Sequence, residues 1–181
     1  MTSSNRYLIF LRGVNVGGVK VLMKDLTQAL TKAGFKNVKT LLASGNIALD
    51  AEKTTPAKLK TEVEAVLKKT FQRDISVVVR SSEQIQKLIA SDPFKGIKVT
   101  PDTRLYISFL PEPTVSKNLK IPYQSDDGNF QILKVTDTEI ISYLIITPDR
   151  GSVDLMGILE KEYSKKITTR NWNTVLKCGE L

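Results

Sequence analysis

Residues 6–11 read Arg-Tyr-Leu-Ile-Phe-Leu (RYLIFL), an apolar run with two aromatics and no polar alternation. A strand with one wet face alternates. A continuous run of this length marks a strand buried on both faces, at the centre of a sheet. Working outward, Gly13–Gly18 is a glycine loop. Leu22, Leu26, Ala29, Leu30 and Ala33 then recur at helical spacing, and Gly34 is placed to end the helix. Val38–Ala43 reads as a strand, Ser44-Gly45-Asn46 as a tight turn and Ile47–Leu49 as the returning strand. Thr55 caps a second helix with Pro56 at its first position, and Leu59, Val63, Val66, Leu67 and Phe71 form its apolar face. Ile75–Val79 is the next strand.

The order is strand, helix, strand, strand, helix, strand, which is the split βαβ, or ferredoxin-like, pattern. In the second half, Ser81 and Gln84 form a capping box for a helix carrying Ile85, Leu88 and Ile89 and stopped by Asp92-Pro93. Thr103–Leu110 is a strand, Pro111–Gly128 a long connection, and Phe130–Val135 with Glu139–Ile146 a hairpin around Thr136-Asp137. Ser152 is expected to cap a helix through Leu155, Met156 and Leu159. Thr168 or Thr169 is expected to cap a last short helix with Trp172, Val175 and Leu176. The expected fold is α+β: a ferredoxin-like N-terminal subdomain, residues 1–80, packed against a second, smaller α+β subdomain, residues 81–181.

Composition excludes much chemistry. The 181 residues carry a formal charge of +8, one cysteine and no histidine. Ser-His-Asp and Cys-His catalysis and His-ligated zinc sites are therefore out, and a single Cys makes neither an internal disulfide nor a CxxC motif. No catalytic constellation, metal site or cofactor motif is read from the sequence. No signal peptide and no stretch of about 20 apolar residues is visible. With Cys178 alone, the expectation is a cytoplasmic protein without a membrane partner. The charge is uneven. Residues 1–49 hold seven basic side chains against Asp25 alone, a local +6, while the remainder is nearly balanced. A basic body suits phosphate, nucleotide or nucleic acid; equally, a lysine-rich face keeps a protein soluble. Aromatics for base stacking are sparse in this quarter.

The segment Leu11–Lys20 joins a buried strand to a helix, where phosphate loops occur. It is neither G-x-G-x-x-G nor GxxxxGK[ST], since Val19 and Lys20 stand where Lys and Ser or Thr belong. Its glycines, Arg12, Asn15 and the following helix N-terminus still suit an anion. Split βαβ topology places the end of the second strand at the same sheet edge. Arg12, Asn15, Gly17, Gly18 and Lys20 should therefore meet Ser44, Gly45 and Asn46 there. Asp25 is the one carboxylate expected beside them, which suits anion binding and not general acid–base work. Each piece also has a purely structural reading: a positive-φ turn, an ion pair or a hairpin. At the C-terminus, Arg170, Asn171, Trp172 and Asn173 combine directional polar groups with one large flat ring. They read as a ligand or partner surface, or as a capped helix anchored by its Trp. The motif is expected to lie near the glycine loop.

The motifs LRGVNVGG (Leu11–Gly18), ASGN (Ala43–Asn46) and TRNWNT (Thr169–Thr174) resemble the bacterial family catalogued as domain of unknown function 1697. The resemblance runs from Tyr7 to Lys177. It implies a cytoplasmic bacterial protein built of ferredoxin-like subdomains. It implies no reaction, cofactor or site role. Relatives often have Gln where Ala43 stands. The functional expectation is a binding module for a phosphorylated or nucleotide-like small ligand. An RNA- or DNA-binding protein, a structural or interaction role and, last, an enzyme are the alternatives. Oligomeric state is open.

Overall fold

The computed structural model describes residues 4–15, 20–52, 54–147 and 154–181. The chain forms two compact units, Met1–Ala90 with Leu176–Leu181, and Ser91–Val175. The first unit contains β1 (Ser4–Leu11), α1 (Met23–Lys32), β2 (Lys36–Leu41), β3 (Asn46–Glu52), α2 (Pro56–Phe71), β4 (Val77–Ser81) and α3 (Ser82–Ala90). Its sheet has the order β2-β3-β1-β4, with every neighbour antiparallel. The run RYLIFL thus lies in a central strand, and Tyr7 to Leu11 are all buried. One sheet face, with Tyr7, Ile9, Leu11, Ile47, Leu49, Val77 and Val79, packs on Leu26 and Leu30 of α1 and Leu59, Val63 and Leu67 of α2. Pleat alternation sends Leu8, Phe10, Ala48, Val78 and Arg80 to the other face, and these are buried too.

Local sequence signals set most element ends. Thr55 Oγ1 accepts the Lys58 N–H at 3.2 Å, and Pro56 opens α2. Ser81 and Gln84 form the reciprocal box, at 2.9 and 3.1 Å. Gly34 follows the α1 C-cap at φ +98°. The strands sit a little differently from the sequence reading. β2 occupies Lys36–Leu41 and not Val38–Ala43, because Leu42 has φ +58° and leaves the strand. β4 starts at Val77, where pairing to Leu11 begins.

The second unit contains β5 (Thr103–Phe109), β6 (Tyr123–Gln124), β7 (Phe130–Val135), β8 (Glu139–Ile145), α4 (Leu155–Glu162), β9 (Thr168–Asn171) and the start of α5 (Trp172–Gly179). Its sheet order is β6-β7-β8-β5-β9. Without the two-residue β6, this repeats the first sheet: β7, β8, β5 and β9 take the places of β2, β3, β1 and β4. α5 follows β9 directly, as α3 follows β4. Arg170 pairs with Ile107 as Arg80 pairs with Leu8, and both arginines are buried. The repeat is one of topology. The counterpart of α1 is absent, because residues 110–129 connect β5 to β7 without a helix.

Two expected caps differ. Ser152 lies outside the described residues, and α4 is capped by Asp154, whose Oδ1 accepts the Gly157 N–H at 2.9 Å. Thr168 and Thr169 do not stand at a helix start. They are strand residues paired with Phe109 and Ser108, a place that suits β-branched side chains, and Thr169 Oγ1 meets Ser108 Oγ at 2.7 Å. Asn171 Oδ1 instead takes the Asn173 N–H at 3.0 Å as α5 begins.

Candidate anion site at the end of the first sheet

β1 ends at Leu11, whose N–H bonds to Gly45 O at 2.8 Å, and the next N–H, of Arg12, bonds to Ser76 O at 2.9 Å. The loop after β1 is thereby fixed between the β2–β3 turn and the entry to β4. Gly13 has φ +65° and Asn15 φ +57°. Between them Val14 folds back into the core. Asn15 then closes the loop. Its Oδ1 accepts the Val21 N–H at 2.8 Å, and its Nδ2 donates to Val21 O at 3.1 Å and to Ala43 O. One amide thus imitates a strand partner for Val21 and ties the glycine loop to the ASGN turn.

The turn is equally determined. Asn46, fully buried, donates Nδ2 to Leu41 O at 2.8 Å and to Ser44 Oγ at 3.0 Å. Gly45 has φ +73°, and a Cβ there would lie 2.8 Å from both Leu11 Cβ and Val14 Cγ2. The turn is glycine because its backbone presses on the β1 end and on the loop.

The structure therefore brings Arg12, Asn15, Ser44, Gly45 and Asn46 together. Gly17 and Gly18 lie outside the described residues. Lys20 is exposed just before α1. α1 begins at Met23, and its N-cap, Leu22, offers no side-chain acceptor. The N-cap residue therefore gives the first-turn amides and the positive end of the dipole no side-chain acceptor, and Asp25 is the acidic residue in that turn. Lys24 is exposed beside it. Of the two predicted asparagines, both amides are committed to the fold. The cationic residues at this edge are Arg12, Lys20 and Lys24, and Ser44 is exposed on the turn. Ser44 Oγ accepts from Asn46 Nδ2, a donor that cannot take its proton.

Part of the basic charge lies elsewhere. Lys36 and Lys39 are exposed on β2, an edge strand, where lysine also discourages pairing with other chains. Arg6, half-buried, is held by Asp50 at 2.9 Å and donates to Leu181 O at 2.6 Å. Burial pushes the Asp50 carboxyl up, but the Asn37 and Arg6 hydrogen bonds outweigh it and hold it below its ordinary range. A concavity of about 580 Å³ sits at the far end of β3, lined among others by Phe35, Asp50, Glu52, Lys58 and Glu62. None of the expected site residues lines it, and its charges are mixed.

The C-terminal motif lies on β9 and the start of α5. Arg170 is buried on β9, with Nη1 on Thr168 Oγ1 at 2.8 Å and Thr169 O at 2.9 Å. Trp172 is half-buried, edge-on to Phe94 with ring centroids 5.4 Å apart. Asn171 caps α5, and the Asn173 side chain is exposed.

The family model described as "Protein of unknown function (DUF1697)" matches residues 4–139, a span that contains both the loop and the turn. The chain belongs to this family. TRNWNT lies beyond the matched span. No curated protein matches the chain. Among solved structures, the chain is similar to that of a conserved bacterial protein, SP0830, from Streptococcus pneumoniae. The TM-score is 0.68 and the identity 20%, over 98% of each chain. At that identity the likeness shows the α+β fold. Among the described residues, no helix is long and apolar enough to cross a membrane.

Proposed function

We propose that this member of the family is a binding module for a phosphorylated or nucleotide-like small molecule. The ligand's phosphate would be held where the Arg12–Asn15 loop and the Ser44–Asn46 turn meet the start of α1. What supports this reading above all is the Asn15 clamp. It joins the two glycine-bearing segments at a helix N-terminus whose N-cap, Leu22, offers no side-chain acceptor, beside Arg12, Lys20 and Lys24. Backbone N–H groups at such a terminus favour an anion, and a guanidinium adds a charge-assisted bond.

Calorimetry with pyrophosphate tests it. Arg12→Ala should weaken binding by about 1.5–3 kcal/mol, the range for a hydrogen bond to a charged group. The exposed Lys20→Ala should weaken it without touching the core. Equal affinity for wild type and both variants contradicts the assignment. A polyanion reading draws on Lys36 and Lys39. It would show as tight RNA or DNA binding whose affinity falls with salt, at a logarithmic slope of about −0.7 per phosphate contact for single strands.

A further inference from the structure

Two backbone positions at the end of the first sheet hold a residue that the local structure does not favour. Leu22 is the N-cap of α1, where a Ser, Thr, Asp or Asn side chain would accept a first-turn N–H and leucine cannot. Leu42 has φ +58°, in the left-handed region that favours glycine and asparagine. The other non-glycine residues with positive φ among the described ones are Asn15, Asn37, Gln72 and Asp92, all polar. Neither leucine is a core residue in return: Leu22 is 53% and Leu42 52% exposed. Local rules broken without return to the fold mark functional sites.

The two leucines flank one point. Asn15 Nδ2 donates to Val21 O at 3.1 Å and to Ala43 O, the carbonyls of the residues next to Leu22 and Leu42. Around them stand Arg12, Lys20 and Lys24, with Asp25 as the acidic residue of the first α1 turn. The edge thus presents exposed aliphatic surface inside a basic rim, the composition of a binding patch. A second copy of the chain would set like charge against like charge there. A nucleobase would want an aromatic ring to stack on. Of the aromatics in residues 1–49, Tyr7 and Phe10 are buried, and Phe35 lines the concavity at the far end of β3. A phosphate joined to an aliphatic group fits both parts of the patch.

We infer that the ligand of the proposed anion site is a soluble phosphate ester whose aliphatic group, next to the phosphate, lies on Leu22 and Leu42. The inference rests on the anion reading above and narrows its ligand class from phosphorylated molecules in general to alkyl phosphates. Two leucines offer too little apolar area to hold the chain on a bilayer, for which even a single myristoyl group is marginal.

The test uses the full chain and titrates hexyl phosphate, methyl phosphate and hexanol, read by calorimetry and at the Leu22 and Leu42 methyl signals in NMR. Hexyl phosphate should bind about tenfold tighter than methyl phosphate, the gain from burying about two methylenes, and should shift both leucines. Hexanol should not bind. Leu22→Ala, which caps no worse than leucine, and Leu42→Asn, which tolerates the left-handed backbone, should each cut the preference for hexyl phosphate about threefold. Both should leave methyl phosphate affinity unchanged. Equal wild-type affinity for the two esters overturns the inference and leaves the anion reading standing. A preference that both variants retain, or hexanol binding as tightly as hexyl phosphate, does the same. If neither ester shifts an amide at this edge, the anion reading fails and the inference with it. Sedimentation of the chain with vesicles of phosphatidylcholine and phosphatidic acid overturns the soluble class in favour of a lipid headgroup.

Discussion

Gly45 is where the geometry of the proposed anion site can be read as a stability change. Gly45→Ala places a methyl at φ +73°, where an L-residue costs roughly 1–2 kcal/mol. It also sets that methyl 2.8 Å from Leu11 Cβ and from Val14 Cγ2. Leu11 Cβ is fixed to a central strand, and both residues are buried in the core, so neither contact relaxes cheaply. Overpacking of this kind costs about 1–3 kcal/mol. The sum is about 2–5 kcal/mol. Gly13 supplies the control: its φ is +65°, and a Cβ there meets nothing within 4 Å. Gly13→Ala should therefore show the backbone cost alone. The difference between the two variants isolates the pressure of the turn on the β1 end. With a urea m-value of about 2 kcal/mol/M, a 2 kcal/mol difference separates the two midpoints by about 1 M. The assay is urea unfolding followed on NMR amides of β1 and β3. Coincident midpoints for the two variants would refute the close packing of turn against loop.

Two further outcomes follow from the same physical terms. Asn15→Gly keeps the backbone conformation available but removes three hydrogen bonds, so it should cost about 1–3 kcal/mol. It should also speed hydrogen exchange at the Val21 N–H, and unchanged exchange would show that the clamp is not formed in solution. The Glu162 carboxyl is held below its ordinary 4.5, chiefly by the Asn118 side chain against the opposing effect of burial. Its folded pKa lies below its unfolded one, so its contribution is complete above about pH 4.5 and is lost as pH falls through the lowered value. The stability gap between wild type and Glu162→Gln, from urea midpoints between about pH 6 and 2.5, should narrow on acidification; a constant gap contradicts the Asn118 hydrogen bond to the carboxylate.

Much of the first unit was legible because its signals are local. RYLIFL, Thr55-Pro56, the Ser81/Gln84 box and Gly34 each act within a few residues of where they stand. The convergence of the loop on the ASGN turn was legible as well, since it follows from strand order. The roles of Asn15 and Asn46 were not, because an amide that ties two loops and one that binds a ligand look alike in sequence. β9 was misread because a four-residue strand beginning Thr-Thr owes its state to β5, some sixty residues earlier. β6 is two residues long and carries no pattern. Glu162 did leave a trace. It stands four and seven residues beyond Ile158 and Leu155, on the apolar stripe of α4, where a charge signals a buried partner.

The central claim is that an anion is held at the loop, the turn and the start of α1. The direct measurement is a pyrophosphate titration of the isotope-labelled chain, read at every backbone amide. Saturable shifts should concentrate at Gly13, Asn15, Lys20, Met23, Ser44 and Gly45, and should vanish in Arg12→Ala with the rest of the spectrum intact. Shifts that are absent there, or that spread evenly over the exposed lysines, would contradict it.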